Sequence, residues 1–435
     1  MELRHTPDHA FPEKLNIFQP PVYQNQIISS SWETIERVDV ANSGKLSFYI
    51  KGNSFMIDLP HTLLELKLKI TKDTGENIDA DADVAPSNYI GGTMFNQLKV
   101  FLGDQILDVE NSYNDAALLQ AEYTLPKMSK DGWLSSFGYF RDTPGKHDDL
   151  TADNIGFTKR KALFANSKSV VLYAKVHSGI FNINKTLINN LDMHLEFSID
   201  KNVKNLMCAA GSAFKLVVEK AALKIRRIRI SEELSVKIDR LLSTKPAVYN
   251  IPRGKVTCHT IPASSRDFQL SNFNSLAGEL PSRIFIALQG TDRYSGAFNL
   301  NSYKYEDFEM ISHDILVDGR SVYGGSIETD FSAAAKQYNA LYMQTLQALG
   351  SFGGPYSTDI SYGEFSQGYM FFGADLTATY GDGGISYLDP ILNGNLQLNL
   401  KFAKALQGAV NVIIYCDYTN SFEIDVHRKL VKNFT

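Results

Sequence analysis

In Leu396–Phe402 apolar residues take every second position: Gln397, Asn399 and Lys401 separate Leu396, Leu398, Leu400 and Phe402. That is the period of a strand with one face buried. After a break at 405–408 a second alternation begins, with Val412, Ile414, Cys416 and Tyr418 in one phase. In the other half of the chain, NNLDMHLEFSI (189–199) repeats the first pattern after an Asn-rich turn. Comparing the halves for internal repeats brings out further partners in the same order. LLELKLKI (63–70) corresponds to RIFIAL (283–288), each with a proline shortly before it, Pro60 and Pro281. FNQLKVFLGDQIL (95–107) corresponds to FEMISHDILVDGRSV (308–322), each a strand, a turn at Gly103 or Gly319, and a short returning strand. Each hairpin is followed by a helical pattern, 113–123 or 333–349, and then by a long polar loop. VVLYAKVH (170–177) matches YMFFGADL (369–376), and 214–230 stands where 411–425 stands. Elements recurring in one order without inversion predict two copies of one β-rich module.

The order of signals along the chain divides it. Residues 1–21 carry Pro7, Pro12, Pro20 and Pro21 with little periodicity, and read as an extended arm that reaches a neighbour, or as a frayed end. Residues 24–40 and 45–59 read as paired strands joined by a turn at Asn42, Ser43 and Gly44. The first module spans 22–230. Near its end Leu223 and Ile225 lie in one strand phase and Ile228 and Ile230 in the other, so a bulge or bend at Arg226 and Arg227 is expected. Ser231 caps a helix with Leu234, Ile238, Leu241 and Leu242 at helical spacing, and Lys245 and Pro246 end it, giving a linker over 231–246. The second module spans 247–425, and 426–435 forms a basic C-terminal tail that adds little to a core. The loop over 125–165, with five Gly or Pro residues between Gly132 and Gly156, reads as a surface tower.

Composition narrows the function. The 435 residues are 44% apolar, enough for a core in each module. A net charge of −5 lacks the basic footprint of a strong nucleic-acid binder, so any DNA contact is local. Cys208, Cys258 and Cys416 are too few and too scattered for a disulfide framework or a zinc site. The N-terminal residues lack the apolar region of a signal peptide, and no stretch has the length of a membrane span. Candidate chemistry is sparse. Asp79, Asp81 and Asp83 alternate like the start of a calcium loop, but Val84 and Ile90 stand where Gly and a bidentate Glu are needed, leaving a solvated acidic loop. The run Lys159, Arg160, Lys161 reads as a solvated face, with phosphate as the alternative contact. Gly381–384 reads as a turn, Glu364 and Asp375 as rim acids, and the sequons at Asn184 and Asn433 as inert. HExxH, GxSxG and P-loop motifs are absent, and no catalytic, cofactor-binding or metal-binding residue is assigned.

SWETIERV around Trp32, LLELKLKITKDTGENIDADADVAPSNY (63–89), FNQLKVFLGDQIL, GFTKRKALFANSKSVVL (156–172), IPASSRDFQLSNFNSLAGELPSRIFIAL (261–288), ILVDGRSV (315–322) and the segment from GNLQLNLKF to NSFEID stand in this order along the chain. Together they resemble the major capsid protein of Maverick/Polinton elements and the related adintoviruses, in the double jelly-roll lineage of double-stranded DNA viruses. The resemblance is collinear over nearly the whole chain, and none of its pieces is a catalytic signature.

The resemblance implies an all-β fold of two tandem eight-stranded jelly rolls with short inserted helices and long tower loops. It implies a structural protein and no enzyme: a capsid protein forming hexon-like, pseudo-hexagonal homotrimers that tile an icosahedral shell around DNA. Its partners would be copies of itself, penton and minor capsid proteins, and weakly the packaged DNA through the tail. Its place would be the virion, after synthesis in a host cell without a secretion signal. The reading from another class is a tandem jelly-roll carbohydrate-active or glycan-binding protein, which would need paired carboxylates in a concave site at the junction of the modules.

Overall fold

A computed structural model describes residues 23–39, 44–274, 276, 278–352, 358–379 and 389–432. Its first eight principal strands are β1 (Ile27–Glu36), β2 (Lys45–Ile50), β3 (Met56–Lys72), β4 (Phe95–Leu102), β5 (Gln105–Asn111), β6 (Val170–Lys175), β7 (Met193–Ile199) and β8 (Phe214–Ile230). The second eight are β9 (Ala247–Ile261), β10 (Asp267–Ser271), β11 (Arg283–Gly290), β12 (Met310–Val317), β13 (Arg320–Ser321), β14 (Phe371–Asp375), β15 (Leu396–Phe402) and β16 (Val410–Ile424). Hydrogen bonding orders the first set as β1-β8-β3-β6 and β2-β7-β4-β5, and the second as β9-β16-β11-β14 and β10-β15-β12-β13. The second order is the first displaced by eight, with every pairing antiparallel. Two four-stranded sheets face to face in this order make a jelly roll, so the protein is all-β, a double jelly roll.

The alternating positions are the core. Leu64, Leu66, Leu68 and Ile70 of β3 meet Leu46, Phe48 and Ile50 of β2 in one apolar cluster, and Leu396, Leu398, Leu400 and Phe402 join Ile284, Ile286 and Leu288 in another. Gly103 and Gly319, at φ 57° and 77°, make the equivalent β4–β5 and β12–β13 turns, where a left-handed backbone favours glycine. The expected break in β8 is present: its pairing with β3 jumps from Lys224↔Leu63 to Arg226↔Asp58. Most of the slack lies on the β3 side, around Pro60, whose missing N–H cannot serve the ladder. Leu223, Ile225 and Ile228 are thereby all buried.

The longest helices among the described residues are α1 (Tyr113–Thr124), α2 (Ile155–Phe164), α3 (Glu232–Leu242) and α4 (Asn339–Ala348). Ser231 caps α3, its Oγ accepting from Leu234 N at 3.2 Å, as its place in the sequence predicts. The helical pattern from 333 begins only at Asn339, because Lys336 at φ 47° breaks it. Three further expectations are corrected. Strands β1 and β2 are not a hairpin: β1 pairs with β8 and β2 with β7, in opposite sheets, and alternation alone cannot choose between adjacent and distant partners. The 125–165 segment is no free tower, since Leu134, Phe137, Tyr139, Phe157, Arg160 and Phe164 in it are buried. The tail docks: Leu430–Lys432 pairs with β16, and Leu430 lies in the first core cluster. The expected arm over 1–21, the turn residues Asn42 and Ser43, the glycines 381–384 and the sequon Asn433 lie outside the described residues.

Candidate functional site at the seam between the jelly rolls

Helix α1 has ten buried residues out of twelve, an all-round burial that a helix adopts only between two packed bodies. Its Tyr113, Ala117, Leu118 and Ala121 belong to the first core cluster, while Ala116, Leu119 and Tyr123 belong to the second. Tyr123 stacks on Phe371 at a centroid separation of 3.6 Å. The turn Gly179–Asn182 lies beside it against β9, so closely that a Cβ on Gly179 would strike the carbonyl oxygen of Pro252. In return Tyr249, Ile251, Phe422 and Ile424 of the second half enter the first cluster. The jelly rolls are interlocked.

Polar groups fill the same seam. Arg253 on β9 donates to Asp108 on β5 at 3.0 and 3.3 Å, and Lys255 reaches Asp108 at 2.8 Å and Glu110 at 3.3 Å. Burial alone would raise the Asp108 carboxyl, but the Lys255 and Arg253 cations overcome it and hold Asp108 below the usual carboxylate range. Burial, with Asp108 adding to it and Lys255 opposing, pushes Glu110 up. Gln120 of α1 donates to the Tyr415 hydroxyl at 2.8 Å and its Oε1 lies 2.9 Å from His177 Nδ1. Burial, helped by Lys175, drives the His177 imidazole down to about 3, so it stays neutral.

The 125–165 segment supplies a second clasp. Lys130 donates to the Glu122 carbonyl at 2.6 Å and lies 3.9 Å from Asp359. Arg141 sits 3.4 Å from both Asp359 and Glu364 and 4.4 Å over the Tyr369 ring. Arg160 pairs with Asp142 at 2.7 Å, and Asn301 of the second jelly roll donates to the other Asp142 oxygen at 2.9 Å. Arg293 grips Asp148 with both terminal nitrogens, at 2.5 and 2.8 Å. Removing one partner of the fully buried Arg160–Asp142 pair strands a charge, at a cost of about 3–5 kcal/mol.

The repeat leaves one set of these surfaces uncovered. Strand β9 is sheltered by α1 and Gly179–Asn182, whereas its counterpart β1 is exposed along almost its whole length. Trp32 on β1 is 58% exposed, and Ile27 and Ile28 at the start of the strand are exposed too. Helix α1 is wedged, whereas its counterpart α4 buries only Leu341, Thr345 and Ala348 against its own jelly roll.

The residues singled out from sequence separate accordingly. Asp79 pairs with Lys72 at 3.4 Å and Asp83 with Lys161 at 2.6 Å, and the described residues hold no group of three or more metal-ligating side chains. Of the basic run, Arg160 is buried in the clasp rather than solvated. Glu364 caps Ser361 and meets Arg141, whereas Asp375 accepts from Thr377, so the two are not brought together as an acid/base pair. Cys208, Cys258 and Cys416 form no disulfide with one another. Sequence reasoning missed Asp108, Gly179 and Arg253, which carry no local signature because each partner lies on the other jelly roll.

No family model matches the chain, and no curated protein matches it by sequence. Among solved structures it is similar to the cryo-EM structure of the Sputnik virophage, with a TM-score of 0.66 and 10% identity over 99% of this chain and 93% of that one. It is similar also to the mavirus major capsid protein, with a TM-score of 0.59 and 11% identity over 100% and 96% of the two chains. The Faustovirus major capsid protein gives 0.53 and 9% over 93% and 92%. At such identities the likeness is one of fold, and the fold that these capsid structures share with this chain is the double jelly roll.

Proposed function

We propose that the protein is a major capsid protein, of the Maverick/Polinton kind that its sequence resembles, whose homotrimers form hexon-like capsomers of an icosahedral shell around double-stranded DNA. One observation carries this. The contact that α1 and Gly179–Asn182 make with β9 inside the chain has matching surfaces left bare at its two ends, α4 on one jelly roll and β1 on the other. A heterologous contact repeated head to tail closes into a ring, and three two-module chains make a ring of six modules. Covering β1 and α4 in this way buries the exposed Trp32, Ile27 and Ile28, and a shell-forming ring calls for contacts on the thousands-of-Å² scale of obligate interfaces. The arm 1–21, which leads into β1, would lie across the neighbour, and penton and minor capsid proteins would complete the shell. Asp108, Asp142 and Asp148 of the seam are held by cations, which suits a rigid wall.

Light scattering tests the reading: the expected mass is about three times 48.5 kDa at micromolar concentration. Trp32→Asp is expected to yield a folded monomer, because it puts a charge into the closing contact while the side chain is exposed in the single chain. A stable wild-type monomer overturns the trimer.

A further inference from the structure

The Lys130 side chain is 1% exposed, and the groups around it do not settle it as an ion. An ammonium carries three donors. Among the described residues Nζ has one acceptor at hydrogen-bond distance, the Glu122 carbonyl at 2.6 Å. The carboxylates of Glu122 and Asp359 stand off at 3.6 and 3.9 Å. Lys255 shows the contrast: it reaches Asp108, the Val109 carbonyl and Glu110 at 2.8, 2.8 and 3.3 Å, with all three donors engaged. Burial, with the Arg141 cation adding to it, holds the Lys130 amine below the ordinary lysine range against the pull of Glu122 and Asp359. Both acids are fixed beside it. Tyr139 donates to Glu122 Oε2 at 2.8 Å, and Arg141 donates to the Asp359 carbonyl at 3.0 Å. Lys130 and Glu122 belong to the first jelly roll and Asp359 to the second, so the three meet across the seam.

We propose that Lys130 and Asp359 join in an intramolecular amide bond, with Glu122 as the proton carrier, which staples one jelly roll to the other. A lysine that is desolvated beside a second cation is set up as an amine nucleophile. A proton passes from the Lys130 ammonium through Glu122 to the Asp359 carboxylate, leaving an amine and a carboxylic acid. Burial favours this neutral pair over two separated ions. Nζ, on a flexible four-carbon stem, then bonds to Asp359 Cγ. Arg141, 3.4 Å from Asp359 Oδ2, faces the negative charge that gathers on that oxygen. Glu122 takes a proton from the nitrogen and passes it to the departing hydroxyl. The Cγ–O bond breaks, one water leaves, and nothing is oxidised or reduced. The Asp359 side chain is 15% exposed, which gives the water a way out. The bond lies within one chain and stands apart from the trimer reading.

Intact-mass spectrometry of the full-length chain, purified folded and then unfolded in acid, is the test. The expected mass is that of the sequence less one water, and a tryptic digest is expected to hold a branched peptide joining the segments around Lys130 and Asp359. Lys130→Met and Asp359→Ala are each expected to show the full mass of their sequences. Glu122→Gln, close to the same size, is expected to be mostly unlinked in material that a melting experiment shows to be folded. A wild-type chain at full mass overturns the proposal and leaves the three residues as a buried ion cluster. A missing water that persists in Asp359→Ala overturns it too, and undiminished linkage in folded Glu122→Gln overturns the part given to Glu122. The wild-type mass and the branched peptide decide the bond whether or not any variant folds.

Discussion

Leu398 and Leu195 sit in the same place in their two jelly rolls, fully buried in strands whose outward neighbours are polar. Leu398→Asp or Leu195→Asp puts a carboxylate without a partner into an apolar cluster, at a cost of several kcal/mol. Lys401→Asp on the exposed phase of the same strand is expected to cost about 1 kcal/mol or less. Thermal melting of the three variants checks the register, and equal losses would show it wrong. Alternation made these positions readable. The outward phase is less uniform than alternation suggests, because Asn399 is half-buried and its carbonyl oxygen has no partner. Arg160 was unreadable: a basic residue in a basic run looks solvated, and only the fold brings Asp142 and the Pro86 carbonyl to it.

Among the elements, the tail changes most between sequence and structure. Ten residues with several charges and short periodicity look expendable, yet Leu430 is buried and Arg428 ties three segments together. Removing 426–435 is therefore expected to cost about 2–5 kcal/mol, the range for losing one large buried aliphatic side chain. Denaturant unfolding measures this, and an unchanged midpoint would mean that the docked strand contributes nothing. Most strands, the α1 and α3 helices and the irregularity of β8 at Arg226 and Arg227 were legible, because period, caps and a change of phase act within a few residues. The partners of β1 and β2 were not, since a strand pattern says which face is buried and nothing about which strand lies beside it.

For the whole molecule, acid is the condition that tests the packing. Burial pushes His147 down to about 4 and His313 to about 3, with His177 similarly depressed. A histidine whose folded pKa lies below its ordinary 6.5 binds fewer protons folded than unfolded. Stability from its neutrality is thus present above pH 6.5 and is lost as pH falls toward the folded value, at about 1.4 kcal/mol per pH unit for each such group. Burial raises Asp115 to about 6, and that group works in the opposite sense, favouring the folded state as pH falls through 6. His313 isolates the effect, because its ring meets Phe372 and Tyr323 and both its nitrogens lack partners. His313→Leu is expected to lose less stability than the wild type between pH 7 and pH 4.5. Equal losses in melting experiments at the two pH values would show that His313 does not titrate in this way.

Within the chain, sequence alone determined the two-module repeat, the inward face of strands such as β3, β7 and β15, the starts of α1 and α3 and the lack of a recognisable catalytic motif. These properties are local: hydrophobic period, capping hydroxyls and turn glycines act over distances of a few residues. Only the tertiary structure decided the Greek-key pairing, the wedge of α1 between two cores, the Arg253–Asp108 and Arg160–Asp142 pairs, and the docking of the tail. Each of these joins residues far apart in the chain, chosen by which complementary surfaces remain after every local element has formed. The bare β1 and α4 surfaces belong to the same class, since their exposure becomes visible only beside the covered counterparts β9 and α1.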